Sequence, residues 1–150
     1  MPGPGDPGKP PKTIACRLEN AGPFGDPGIQ SSNRAELRAV IAALRFRNWA
    51  GEGFSTVVIA TDSEYVTTGS TQWAKTWLQN SWRTANKAEV KNKDLWEMLL
   101  GEVERHHGRG LSIQFWRISR AWNTVADEAA KKAATEDAIE QWADMFGTSF

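Results

Sequence analysis

The chain has 150 residues, 40% of them apolar and 24% charged, with a formal net charge of zero, so one compact domain is expected and global charge selects neither nucleic acid nor membrane. A single cysteine, Cys16, excludes an intrachain disulfide. No apolar run approaches the roughly 20 residues of a membrane span and the N-terminus has no signal-peptide apolar core, so a soluble, intracellular protein is expected.

Residues 1–12 are dominated by Pro and Gly and read as a flexible lead-in. Residues 13–19 alternate Ile14, Cys16 and Leu18 with Ala15 and Arg17, a strand pattern. Cys16 then reads as a small core residue, because no neighbouring base marks it as a nucleophile. Turn chemistry follows at Gly22-Pro23 and Asp26-Pro27-Gly28. Residues 33–48 are predicted helical: Leu37, Val40, Ile41 and Leu44 share a stripe, and Asn33 and Glu36 have capping-box spacing. Residues 56–61 are a continuous β-branched run, expected of a strand covered on both faces, ending at Asp62-Ser63. Short helices are expected at 65–69 and 71–78, and 80–93 is polar, basic and aperiodic.

A second long helix is predicted over 94–106, capped by Asp94, with Leu95, Met98, Leu99 and Val103 as its stripe. Residues 111–118 alternate as a strand. Residues 124–134 form a small-residue helix with Thr124 and Asp127 at capping-box spacing. The tail, 135–150, carries four acids and no base, and its spacing of Ile139, Trp142, Ala143 and Phe146 predicts an acidic amphipathic helix. Strands interleaved with helices predict an α/β domain over 13–134 with parallel pairing at the middle strand.

Three carboxylates stand out by position. Glu36 and Asp127 fall in first turns of helices, and Asp62 follows a buried strand. Singly, each reads as a cap or turn acid. Together, beyond the carboxyl ends of strands, where α/β sheets form their sites, they would repel unless cations lay between them. Hard oxygen ligands suit Mg²⁺ or Mn²⁺, which activate water and stabilise a phosphodiester's leaving oxygen.

The stretches around these acids carry a resemblance. Ser32-Asn33-Arg34-Ala35-Glu36-Leu37 is similar to an N-x-R-A-E helix start, and Ala60-Thr61-Asp62-Ser63-Glu64-Tyr65-Val66 to a T-D-S-x-Y-V strand end. Asn80-Ser81-Trp82-Arg83-Thr84, Val90-Lys91-Asn92-Lys93-Asp94-Leu95-Trp96 and Asn123-Thr124-Val125-Ala126-Asp127-Glu128-Ala129-Ala130 follow in order. The set resembles the ribonuclease H type 1 family, closest in flavour to its eukaryotic, fungal members. The resemblance implies a ribonuclease H-like fold and hydrolysis of the RNA strand of RNA–DNA hybrids by two Mg²⁺ ions, leaving a 3′-hydroxyl and a 5′-phosphate. It implies catalytic and metal-binding roles for Glu36, Asp62 and Asp127, which match three of the family's four carboxylates.

Two departures modify that expectation. Nothing matches the family's first carboxylate strand: Asp6 and Asp26 both sit in Asp-Pro-Gly turns, and residues 13–19 resemble the third strand. The sheet is therefore expected to be truncated or rearranged, with the central strand missing and residues 56–61 left with an open edge that invites a second copy or a strand-donating partner. The loop 119–123 also lacks the His that many relatives carry there; His106 and His107 close a helix instead. An active endonuclease and a degenerate relative that binds nucleic acid or a protein without cutting are both open readings.

Between residues 65 and 93 five basic residues face one acid, Glu89, with Trp73, Trp77 and Trp82 interleaved. Cations neutralise phosphates and aromatic faces pack on sugars or bases. Trp73 and Trp96 read as core. Trp77, Trp82, Arg83, Thr84, Lys91 and Asn92 read as nucleic-acid contacts. Of these, Trp82, Arg83, Thr84 and Asn92 match the family's DNA-strand groove and phosphate pocket. Asn33 matches a position contacting the RNA minor groove, where the 2′-hydroxyl distinguishes RNA from DNA.

Overall fold

A computed structural model describes residues 14–28, 30–84 and 88–144. The first apolar stripe becomes α1, Ser32–Arg45. Its cap is Ser31, whose hydroxyl accepts from the Arg34 N–H at 3.2 Å, so Asn33 lies inside the helix rather than capping it. The buried face of α1 carries Leu37, Ile41 and Leu44, and also Arg34 and Arg38.

β1, Thr56–Thr61, pairs in parallel with β2, Ser112–Arg117, with Val57 opposite Ile113 and Ile59 opposite Phe115. The parallel pairing is as expected. Among the described residues the sheet has these two strands alone. Ile59, Ile113 and Phe115 pack on the core, while Val58 and Trp116 on the other face are more than half exposed. The expectation of a strand covered on both faces is thus corrected: helices cover one face, and alternation replaces two-sided burial.

Beyond β1 the chain forms α2, Glu64–Thr68, a π-helical turn at Gly69–Trp73, and α3, Ala74–Gln79. α4, Lys93–Gly108, packs along α1. A 3₁₀ turn at Arg120–Trp122 leads into α5, Thr124–Ala133. Neither Asp94 nor Thr124 caps its helix; the flanking positions are Asn92 and Asn123, and both asparagine side chains bond elsewhere. The core joins Leu37, Ile41 and Leu44 to Val66, Leu95, Trp96 and Leu99. Each such side chain contributes about 1.5–3 kcal/mol on burial. Tyr65, Trp73, Trp77, Trp82 and Trp96 extend it as an aromatic cluster with centroids 5.1–6.1 Å apart.

Two expected elements do not form. Residues 14–19 carry no strand: the Gln30 amide donates to the Leu18 carbonyl at 2.8 Å, the Glu19 side chain is buried against Arg38, and no neighbouring strand is present among the described residues. The tail is not helical over 137–144; residues 145–150 lie outside the described part, as do 1–13, where the lead-in was expected. The carbonyls of Ile139 and Glu140 accept from the Asn20 and Ala21 N–H groups at 2.7 and 3.0 Å, so they are not available to a helical ladder. Trp142 lies 3.7 Å beneath the Arg38 guanidinium, and Asp144 pairs with Arg45. Residues 139–144 therefore dock on their own domain without forming a helix. A cavity of about 760 Å³ separates residues 14–18 and α1 from α5, walled largely by Ala35, Ala39, Ala42, Ala126, Ala129 and Ala130. No described helix is long and apolar enough to cross a membrane.

Candidate active site

The Thr-Asp-Ser sequence explains how β1 presents a carboxylate. The Thr61 hydroxyl accepts from the Ser63 N–H at 3.1 Å, and the Ser63 hydroxyl caps α2 by accepting from Val66 N–H at 3.1 Å. These bonds turn the chain and leave Asp62 at the strand's carboxyl end. Its oxygens accept from Arg120 Nε at 3.2 Å and Asn123 Nδ2 at 3.3 Å. Glu36 projects half-buried from the second turn of α1, and Asp127 from the first turn of α5. Lys131 pairs with Asp127 at 3.0 Å, one helical turn on.

The three acids share one field. Burial pushes the Glu36 carboxyl above its ordinary value, the negative charges of Asp62 and Asp127 push it further, and Arg120 opposes them. Such crowding is what a divalent cation relieves, and an all-oxygen donor set fits Mg²⁺ or Mn²⁺ in kind. Among the described residues, however, no three His, Cys, Asp or Glu side chains stand close enough to hold a metal ion as they lie. Asp62 has its oxygens committed to Arg120 and Asn123 instead.

The expected nucleic-acid contacts divide. Asn33 is exposed on the first turn of α1, on the helix that carries Glu36. Trp82 is half-buried and stacks on Trp77 at 6.1 Å; Ser81 and Trp82 both adopt positive φ, 54° and 61°. The backbones of residues Arg83 and Glu89 pair as an isolated antiparallel bridge, and the Thr84 hydroxyl accepts from Ala88 N–H at 3.2 Å. Lys91 is exposed, and Asn92 adopts φ 57°. Trp77 is the correction. It is 8% exposed and packs edge-on against Trp96 at 5.1 Å, so it lies in the core beneath Trp82 rather than on the surface expected of a nucleic-acid contact. Trp96 is core as expected, whereas Trp73 keeps 39% of its surface exposed.

Sequence reasoning missed Arg120, which reaches Asp62 from the exposed 3₁₀ turn, and Arg34, which grips Asp94. Arg34 left a readable signal: it falls on the same stripe as Leu37, Arg38 and Ile41, where a charged side chain demands a buried partner.

The family model for RNase H matches residues 17–135. The chain is 42% identical over 109 residues to the ribonuclease H of a Treponema pallidum subsp. pallidum strain, covering 69% of this chain and 60% of that protein. It is 39% identical over 109 residues to the ribonuclease H of Idiomarina loihiensis, covering 73% and 66%. The chain thus spans 60–66% of the length of these curated relatives. Among solved structures, the foamy viral protease-reverse transcriptase in complex with RNA/DNA hybrid superposes with a TM-score of 0.55 at 23% identity, over 74% of this chain and 14% of that one, a likeness of fold.

Proposed function

Because the chain belongs to the RNase H family, we propose that it is an endonuclease that hydrolyses the RNA strand of RNA–DNA hybrids inside the cell. The observation that carries this reading is the convergence of Glu36 on α1, Asp62 at the carboxyl end of β1 and Asp127 on α5 into one electrostatic field. These three would hold Mg²⁺ or Mn²⁺. When bound, such an ion supplies an activated water and charge stabilisation at the leaving oxygen. Asn123 and Arg120 orient Asp62 through its two oxygens. Asn33 meets the RNA strand beside Glu36. Trp82, Arg83, Thr84, Lys91 and Asn92 hold the DNA strand, with Trp77 bracing Trp82 from below.

The eukaryotic flavour of 80–84 and 90–96 belongs to the same reading. So does a sheet completed in trans. Within 13–134 only three of the family's four carboxylate positions are matched, and the edge of β1 away from β2 is unpaired among the described residues. A second copy or a donated strand at that edge completes the sheet. A mass in solution equal to one chain rejects the homodimer.

A second reading is favoured by one observation: Asp62 is held by Arg120 and Asn123, and among the described residues no three acids stand close enough for a metal. On that reading the protein binds hybrid without cutting. Incubating a hybrid labelled on both strands with Mg²⁺ or Mn²⁺ separates the two. RNA fragments with an intact DNA strand support the endonuclease; intact RNA on a retained hybrid supports the binder.

A further inference from the structure

Arg34 is buried on α1, its side chain 5% exposed, between Asn33 and the helical turn of Glu36. It grips both oxygens of Asp94, Nη1 to Oδ1 at 2.9 Å and Nη2 to Oδ2 at 2.7 Å. Such bidentate pairs are strong and directional. Nη1 also reaches Oδ1 of Asn92 at 3.5 Å. The Asn92 Nδ2 donates to the Tyr65 hydroxyl at 3.3 Å, and the Trp96 indole donates to the same oxygen at 2.9 Å. Arginine can only donate, so the Asn92 amide has one orientation that serves both neighbours.

Asn92 itself is unusual in two ways. Its backbone lies in the left-handed region, at φ 57°, uncommon for a residue other than glycine. Asparagine is also a favoured helix cap, yet this side chain makes no capping bond to α4. Conformations of this kind persist where the surroundings impose them. Here the surroundings are the Arg34–Asp94 pair on one side and the Tyr65 hydroxyl on the other. Residues 22 and 28 wall in the pair: a Cβ on Gly22 would overlap the Asp94 carboxylate and Arg34 Nη2, and one on Gly28 would overlap the Arg34 guanidinium.

We infer that Arg34 and Asp94 are positioning residues that hold the Asn92 amide ready for a nucleic-acid strand and lock it to the helix start carrying Asn33 and Glu36. After its bonds to Arg34 and Tyr65, the amide still has one N–H and one lone pair to offer the DNA strand, the N–H to a phosphate oxygen or both to a base edge. Strand grip and cleavage chemistry are then held in one rigid frame. The inference rests on the hybrid-binding reading.

The test is a double-mutant cycle on hybrid affinity, measured with Ca²⁺ so that no cleavage intervenes, with a thermal melt of each variant. Asn92→Ala is expected to weaken binding about 10-fold in the unaltered chain and less than about 2-fold once Asp94→Asn has released the amide. Lys91→Gln, next to Asn92 but outside the network, is expected to cost the same in both backgrounds. Gly22→Ala, which crowds the pair without removing a charge, is a second background that should behave as Asp94→Asn does. An equal cost of Asn92→Ala in all three backgrounds overturns the inference alone. No hybrid binding by the unaltered chain overturns the functional reading along with it.

Discussion

Arg34 and Asp94 stand 60 residues apart in sequence and meet as a two-bond ion pair that ties the start of α1 to the start of α4. Removing one partner strands the other in a mostly dry site. Arg34→Met should therefore cost about 3 kcal/mol, read from denaturant unfolding. A loss below about 1 kcal/mol would show that the pair does not brace the two helices.

The same pair sets an acid limb on stability. Hydrogen bonding and charge from Arg34 hold the Asp94 carboxyl below its ordinary 3.8. Its contribution is complete above that value and is lost as pH falls through it toward the lower folded value. Melting temperature should drop more steeply below pH 4 in the native chain than in Asp94→Asn. Parallel curves would contradict the assignment.

Glu36 works with the opposite sign. Its folded carboxyl titrates above the ordinary 4.5, so ionisation on going to neutral pH opposes folding. Glu36→Gln should raise the melting temperature at pH 7 by about 1–3 °C and leave it nearly unchanged at pH 4. Added Mg²⁺ should narrow the gap, because the cation relieves the same repulsion. A lower melting temperature for the variant at pH 7 would count against a shared acidic field.

Trp77 and Trp82 stack on one another but should fail differently. Trp77→Ala opens the core and should cost about 3–5 kcal/mol of stability. Trp82→Ala should cost far less stability and weaken hybrid binding by about 10-fold or more, the loss of one stacking platform. Equal effects of the two on binding, corrected for folding, would return Trp77 to the ligand surface.

Lys91 should act through charge alone. Lys91→Gln should lower the slope of log affinity against log salt by about 1, for hybrids of any sequence. An unchanged slope would remove Lys91 from the phosphate contacts.

Periodicity made the two long helices legible, because their stripes depend only on residues three and four apart. The parallel strand pair was legible from β-branched and alternating runs. What sequence could not show was where backbone groups of aperiodic segments find partners. Residues 14–19 alternate like a strand, but alternation does not supply a neighbour to pair with, and among the described residues the sheet holds β1 and β2 alone. The tail has helical spacing, but its carbonyls bond to Asn20 and Ala21. At the site, the three acids were legible from motif order. Arg120 was not, since an exposed arginine on a short 3₁₀ turn carries no pattern, and the burial of Trp77 was not, because a tryptophan beside cations reads alike from core or surface.

Cleavage of a doubly labelled RNA–DNA hybrid in Mg²⁺ by the native chain, beside its Asp62→Asn variant, tests the central claim most directly. The account predicts RNA fragments bearing 3′-hydroxyl ends from the native chain, an intact DNA strand, and neither product from the variant. Intact RNA with the native chain in both Mg²⁺ and Mn²⁺, or equal cutting by Asp62→Asn, would contradict it.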